Sequence, residues 1–239
     1  MVRVVKAHSV RRNEILDVAQ RLVYTKGYEQ MTIQDILDSL QIAKGTFFHY
    51  FDSKPALLEA LIERMLLEME RVVRPIVDDP CLPALEKLQR FCATLGRWKT
   101  ERKDSLLALL RVWYADENAI VRQKVSAAAY KLITPLLTAI IRQGVREGAL
   151  AVSHPEHTGG VVLAILLGLG ESFAMVLLSP EAHRGGIERI ESSVAAYNEA
   201  LERVLGAPTG VVQLVDAETL GEWFVLAKDV GTGTKTGTR

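Results

Sequence analysis

The sequence has few cysteines and no net charge, and each shortage excludes a class of protein. Only two cysteines, Cys81 and Cys92, occur among 239 residues, which is too few for a small secreted fold held together by disulfides. We expect both thiols to be reduced and to lie in the core. The 29 Lys and Arg residues balance 29 Asp and Glu residues, so the chain lacks the overall basicity of a histone-like protein. Any affinity for a polyanion must therefore come from a local surface.

Targeting signals and catalytic motifs are also lacking. Charged residues interrupt every apolar run near the amino terminus, so no signal peptide is predicted and the cytoplasm is the expected location. We find no nucleophile elbow, zinc-binding helix motif, phosphate-binding loop or catalytic triad, and we therefore predict neither an enzyme nor a bound cofactor or metal. His154 and His157 have a spacing that a metal site could use, but a solvated helix start is the favoured interpretation.

What the sequence does have is helical periodicity. Its 49% of hydrophobic residues suffice for a sizeable core, and no strand-like alternation competes, so the predicted fold class is all-α. Pro75 is predicted to end a helix and Pro135 to kink one. The apolar run 161–178 contains Glu171 and Ser172, which favours a buried helix over a membrane span. The predicted helices cover residues 10–26, 33–40, 44–51, 56–74, 82–99, 104–114, 118–147, 155–178, 186–205 and 216–228.

The most informative segment predicts two short helices joined by a tight turn. Thr32 is a good N-cap and Asp35 follows three residues later, which makes a capping box. In the second helix, Phe47 and Phe51 are four residues apart and anchor one face inward. The face left for a partner is small, aromatic and basic, and consists of Lys44, Gly45, Thr46, Phe48, His49 and Tyr50.

Those residue types match the chemistry of double-stranded DNA. Lys44 can reach a guanine edge or a phosphate, Thr46 offers a hydroxyl and a methyl to bases, and Tyr50 can donate to a phosphate oxygen. Ser53 is a good N-cap for the next helix, and Lys54 lies at the positive end of that helix, where a phosphate is favoured. The segment therefore predicts a helix-turn-helix that reads DNA, with a simple helical hairpin as the alternative.

The amino-terminal residues 1–12 are locally basic, since they contain no acidic residue. Their positive side chains are Arg3, Lys6, Arg11 and Arg12. Such an arm before the first helix could follow a DNA groove, and a solubilising terminus is the alternative.

Between residues 11 and 58 the chain resembles the TetR family of transcriptional regulators. Gly27-Tyr28 follows the first helix, Met31-Thr32-Ile33 opens the second, and Lys44-Gly45-Thr46-Phe47-Phe48-His49-Tyr50-Phe51 with Ser53-Lys54 forms the recognition segment, in the family's order. The resemblance implies that Lys44, Gly45, Thr46 and Phe48 face the major groove. It also implies that Thr32, His49, Tyr50 and Lys54 hold phosphates.

Three positions depart from the family's pattern. Gln41 stands where a glycine is usual in the turn, Ala43 where serine or threonine often opens the recognition helix, and Phe48 where tyrosine is common. Ala43 cannot cap, which costs on the order of 1 kcal/mol of local helix stability. We interpret the departures as an altered operator preference.

Beyond the head, the resemblance implies a larger helical domain that binds a ligand and forms a homodimer. The expected domains are residues 1–54 for DNA binding, 55–205 for effector binding and dimerisation, and 206–239 as a partly disordered extension. Helices 155–178 and 186–205 occupy the place of the family's dimer bundle, and packing within one chain is the alternative. Candidates to line a cavity for an apolar or amphipathic effector, or else plain core residues, are Met65, Met69, Phe91, Trp98, Trp113 and Tyr114.

The resemblance thus predicts a repressor that binds a near-palindromic operator and is released by a small molecule. Two rival functions come from other classes. An all-α enzyme would need a catalytic cluster, and none of the motifs above supplies one. A helical adaptor would bind protein through the hairpin, and its affinity would not fall steeply with salt as phosphate contacts do.

Overall fold

A computed structural model describes residues 8–114, 119–179 and 186–225, and the regular structure in these ranges is α-helical. The helices there are α1 (His8–Lys26), α2 (Ile33–Leu40), α3 (Lys44–Phe48), α4 (Lys54–Asp78), α5 (Ala84–Thr100), α6 (Lys103–Trp113), α7 (Ala119–Arg146), α8 (Pro155–Leu178), α9 (Gly186–Leu205) and α10 (Ala217–Val225). The predicted all-α class is confirmed for the described residues.

The helices form two compact units, and each unit combines segments that are distant in sequence. The first contains the chain up to residue 68 together with 104–129, and the second contains 69–103 and the chain from 130 onward. Helix α4 begins in the first unit and ends in the second, as expected for a helix that follows the recognition segment without a linker. The expected domain boundaries after residues 54 and 205 separate functions, not compact units, and they stay a prediction.

The core of the first unit holds the recognition helix. α1 packs on α2, and α2 packs on α3. Gly27 ends α1 with φ of 82°, a left-handed conformation that glycine adopts without steric cost. Each large side chain buried here contributes on the order of 2 kcal/mol. The largest fully buried ones are Ile15, Leu16, Met31, Ile36, Phe47, Leu57 and Leu58.

Most predicted helix bounds agree with the structure, but α3 ends at Phe48 instead of residue 51, and Pro75 does not end its helix. α4 continues through Pro75 to Asp78. A proline inside a helix deprives the carbonyl four residues earlier of its donor. That carbonyl belongs to Arg71, and both residues are exposed, so water can solvate it. Pro135 likewise lies inside α7, which is assigned as one helix.

The carboxyl-terminal extension packs within the second unit. After α9, the backbone N–H of Val212 donates to Glu202 Oε1 at 3.0 Å. α10 then packs on α5 and α9, and Trp223 Nε1 donates to Thr100 Oγ1 at 2.9 Å. Residues 226–239, which include the segment predicted to be disordered, lie outside the described residues.

The two cysteines have different surroundings. Cys92 is buried, and burial raises the pKa of its thiol to about 12, which keeps it protonated and unreactive. Cys81 is exposed, so the expectation of a core thiol was wrong for this residue. It lies in the turn between α4 and α5, where its backbone N–H donates to Asp79 Oδ1 at 2.8 Å.

Two of the described helices are long and apolar enough to cross a membrane by length and composition alone. They cover residues 122–146, with a mean hydropathy of 1.3, and Pro155–Leu178, with a mean hydropathy of 2.4. A core helix of a water-soluble protein meets the same criterion. In α8, Val162 and Leu163 are buried in the core of the second unit, but only 22% of the apolar window of this helix is buried within the chain, so the expectation of a buried helix is met on one side only.

Candidate nucleic-acid interface

A capping box fixes the start of α2. Thr32 Oγ1 accepts a hydrogen bond from the Asp35 backbone N–H at 3.1 Å, and the Thr32 N–H donates to Asp35 Oδ2 at 2.7 Å. Lys26 Nζ lies 2.7 Å from the same carboxylate oxygen. The hydrogen bond from Lys26, followed by those from the Thr32 backbone and hydroxyl, lowers the pKa of Asp35 to about 2. Because this pKa is depressed, the box stabilises the fold above about pH 4 and loses that effect as the pH falls towards 2.

The turn between α2 and α3 contains the first departure from the family's pattern. Gln41 caps α2 with φ of 51° and ψ of 47°, and its backbone N–H is directed at the carbonyls of Leu37 and Asp38. A side chain in this left-handed region costs roughly 1–2 kcal/mol, which a glycine would avoid. Ala43 precedes α3 and makes no side-chain cap, as the sequence predicted. Backbone hydrogen bonds therefore close the end of α2 at the cost of a left-handed Gln41, whereas the start of α3 lacks a side-chain cap.

α3 itself is one short helix with one anchored side and one free side. Phe47 is fully buried, whereas its neighbour Phe48 is 40% exposed. Lys44 Nζ lies 5.9 Å from the centre of the Phe48 ring, so both side chains occupy the same outer face. Gly45 is exposed, and a Cβ there would meet no atom within 4 Å. The four predicted groove-facing residues thus lie on one short helix, with Thr46 half-buried.

The predicted phosphate-binding residues lie at three points around α3. Thr32 is exposed, but its hydroxyl is engaged with Asp35, to which it also donates at 2.8 Å. His49 and Tyr50 follow α3 directly, with ring centres 5.0 Å apart. Lys54 opens α4, donates to the Glu29 carbonyl at 3.2 Å and lies 4.3 Å from the centre of the Tyr28 ring.

The start of α4 is capped as the sequence predicted. Ser53 Oγ accepts a hydrogen bond from the Ala56 N–H at 3.1 Å. Under Lys54, the Tyr28 ring is buried, and burial followed by the charge of Glu29 raises the pKa of its phenol to about 12. The Tyr28 phenol therefore stays neutral, and the positive charge of Lys54 lies beside a helix amino terminus.

Sequence reasoning missed part of this surface. α1 begins at His8, so Arg11 and Arg12 are helical rather than part of an arm that precedes the first helix, while Arg3 and Lys6 lie outside the described residues. The His8 ring lies 4.6 Å from the Tyr50 ring, and the Arg12 guanidinium lies 5.2 Å from the centre of the Phe51 ring. Helical spacing could have placed His8, Arg11 and Arg12 on one face of α1, but it could not have placed that face beside Tyr50 and Phe51.

The predicted effector residues fall in both units. Met65, Trp113 and Tyr114 belong to the first unit, and Met69, Phe91 and Trp98 belong to the second. Phe91 and Trp98 are buried, and Met65 and Trp113 pack against the core of the first unit. No group of three potential metal ligands occurs within the described residues, and His154 precedes α8 without capping it through its side chain. The effector assignment stays a prediction.

Comparisons with known proteins agree with this geometry. The family described as bacterial regulatory proteins, tetR family, matches residues 15–61, which include α2, α3 and the start of α4. An uncharacterised HTH-type transcriptional regulator of Bacillus subtilis, YvaF, is 30% identical over 102 residues, which are 43% of this chain and 53% of the relative. The HTH-type transcriptional repressor KstR2 of Rhodococcus jostii is 35% identical over 69 residues, which are 29% of this chain and 34% of the relative. The chain thus spans about half the length of the first relative and about a third of the second.

The fold has solved neighbours as well. FadR of Thermus thermophilus, a TetR family repressor solved in complex with lauroyl-CoA, superposes with a TM-score of 0.60 and 20% identity, over 84% of this chain and all of that chain. These proteins are named as regulators of transcription and not as enzymes. Residues 15–61 thus match the tetR family of bacterial regulatory proteins, and the helical fold of the described residues is shared with a solved repressor of that family.

Proposed function

We propose that this chain is a DNA-binding repressor of transcription that acts in the cytoplasm as a homodimer and is released by a small apolar or amphipathic effector. The observation that carries the proposal is the two-sided character of α3. Lys44, Gly45 and Phe48 are exposed, whereas Phe47 among them is fully buried. α3 is anchored through the ring of Phe47 and exposes Lys44 and the backbone of Gly45. A helix with this arrangement fits the major groove of B-DNA.

The surroundings of α3 supply the groups that hold a DNA backbone. Tyr50 and His49 follow the helix, and Lys54 stands at the amino terminus of α4. Phosphate contacts of this kind fix the register of a protein on the duplex, while base contacts carry the sequence preference. The exposed phenylalanine at position 48 favours an apolar contact, such as one with a thymine methyl group.

Exposed apolar side chains on α8 support the homodimer. Val161, Leu167 and Met175 are 47%, 39% and 61% exposed, and Ala164, Gly170 and the charged Glu171 are exposed as well. Several large apolar side chains left exposed on one helix favour an interface between proteins. A two-fold assembly would present two copies of α3 about 34–36 Å apart, or at a related spacing, to a near-palindrome.

Two alanine substitutions test the assigned contacts. Against duplexes selected by the purified protein from a random pool, Tyr50→Ala is expected to weaken binding to all sequences by a similar factor. Lys44→Ala is expected to weaken binding and also to relax the preference at one base pair, by about 1–3 kcal/mol. Fluorescence anisotropy across a series of salt concentrations measures both effects and the number of chains per duplex.

The control is Lys131→Ala, which removes an exposed lysine of α7 in the second unit and should bind like the parent. If Lys44→Ala and Tyr50→Ala also bind like the parent, the site is wrongly assigned. If the parent shows no steep salt dependence, the hairpin is better explained as an adaptor that binds protein.

Release by an effector requires a ligand that prefers the DNA-free form. The predicted lining is apolar and aromatic, and the Thermus thermophilus repressor was solved with lauroyl-CoA, so an acyl-CoA is the first probe to test. If lauroyl-CoA is an effector here, it should weaken operator binding by about 5- to 150-fold. Operator DNA should then weaken the binding of lauroyl-CoA to the protein by the same factor. Paired titrations measure both factors. Equal operator affinities with and without saturating lauroyl-CoA would exclude release by this class of ligand.

A further inference from the structure

Three aromatic rings meet beside the recognition helix. The His8 ring, at the start of α1, lies 4.6 Å from the Tyr50 ring and 5.6 Å from the His49 ring. The His49 and Tyr50 rings lie 5.0 Å apart. His8 and His49 are exposed, and Tyr50 is half-buried between neighbours. The first turn of α1 thus brings a second imidazole to the segment that follows α3.

We propose that His8 is a further DNA-contacting residue, and that His8 and His49 together couple DNA binding to proton uptake. The inference rests on the proposed function, because it needs a DNA phosphate near Tyr50. A neutral imidazole offers one N–H donor, whereas an imidazolium offers two and carries a positive charge. A phosphate that pairs with an imidazole therefore favours its protonated form.

The distance between the two rings allows them to act together. Their centres lie 5.6 Å apart, so both face the same small region beside α3. A phosphate that contacts both rings would attract two positive charges. By linkage, DNA promotes protonation of the pair and protonation of the pair promotes binding of DNA.

The charged groups around the cluster leave this effect intact. On α1, Arg11 is paired with Glu14 at 2.8 Å, and Arg12 lies over the neighbouring Phe51 ring. On the other side, the chain after Tyr50 contributes Asp52 and Lys54. Neither imidazole forms an ion pair within the described residues, so a phosphate would not have to displace a carboxylate from it.

The full chain can be tested with a fluorescein-labelled random-sequence duplex of about 30 base pairs, because phosphate contacts do not depend on sequence. The dissociation constant should be about fivefold lower at pH 6 than at pH 8 for each histidine that takes up a proton. His8→Gln should remove one of these fivefold factors from the ratio of the dissociation constants at pH 8 and pH 6. His8→Arg keeps a positive charge at every pH, so it should bind more tightly than the parent at pH 8 and show a smaller pH ratio.

His154→Gln is the matched control, since it replaces an exposed histidine of the second unit and should keep the parent's pH ratio. The inference is overturned if the parent binds equally at both pH values, or if His8→Gln and His8→Arg keep the parent's ratio. A loss of affinity in His8→Gln that is the same at both pH values also overturns it, since it indicates a structural role. Absence of any salt-dependent binding by the parent would instead refute the proposed function.

Discussion

Replacing Phe47 with alanine is expected to reduce the free energy of unfolding of the first unit by about 3–5 kcal/mol and to abolish DNA binding. The Phe47 ring is fully buried, and its centre lies 5.8 Å from that of Phe51. α3 has five residues, too few to be stable without packing. Phe47 is its one buried side chain. Without this anchor, the helix loses the contact that holds its outer face in a defined orientation.

The adjacent phenylalanine provides the control. Phe48→Ala truncates the same type of side chain one residue along, at a site that is 40% exposed, and should change the stability by no more than about 0.5 kcal/mol. It should nevertheless weaken DNA binding. Hydrogen exchange measured by mass spectrometry separates the units, and Phe47→Ala should accelerate exchange in the first unit more than in the second. Unchanged protection of α2 and α3 in Phe47→Ala would contradict the assigned anchor.

Phe47 matters this much because the turn before α3 is locally weak. Gln41 is held in a left-handed conformation that costs roughly 1–2 kcal/mol. Ala43 leaves the first N–H groups of α3 without a side-chain acceptor, at a cost of about 1 kcal/mol. Both costs arise at positions where the sequence departs from the family's pattern. The packing of Phe47 and Phe51 must offset them, so the position of the recognition helix depends on the core beneath it.

Local chemistry explains which features could be predicted from the sequence. The Thr32 and Asp35 capping box involves residues three positions apart, so its pattern is readable without any tertiary information. The same holds for Ser53 as the cap of α4 and for the outward orientation of Lys44 and Phe48. Helix α8 has the bounds that the sequence predicts because Pro155 marks its start.

Features that depend on contacts across the chain could not be predicted in this way. Whether a proline ends a helix depends on whether water can solvate the carbonyl that loses its donor. At Pro75 this carbonyl belongs to the exposed Arg71. The contact between His8 and Tyr50 joins residues that no local pattern connects. The same is true of residues 104–129, which join the first unit although the chain has already entered the second. For the effector residues, the apolar pattern of a cavity wall is the same as that of a core.

The second large effect is expected where α7 and α8 approach each other closely. A Cβ at Gly159 would lie 2.1 Å from Thr138 Oγ1, 2.8 Å from the Thr138 backbone nitrogen and 2.9 Å from the Thr134 carbonyl oxygen. The last two atoms belong to the α7 backbone, so the helices must separate. Gly159→Ala should therefore reduce the free energy of unfolding of the second unit by about 1–3 kcal/mol, even though alanine favours the helix by about 1 kcal/mol.

At the neighbouring Gly160, the same substitution is expected to increase the stability. A Cβ at Gly160 would meet only Thr134 Cγ2, at 3.9 Å, so Gly160→Ala should gain about 0.5–1 kcal/mol from helix propensity and lower backbone entropy in the unfolded chain. Urea denaturation of both variants at one protein concentration measures the difference. Adding Thr138→Ala to Gly159→Ala removes the side-chain clash but not the backbone ones, so it should restore less than half of the lost stability. Full restoration, or equal stability of the two single variants, would show that the α7 backbone does not limit this contact.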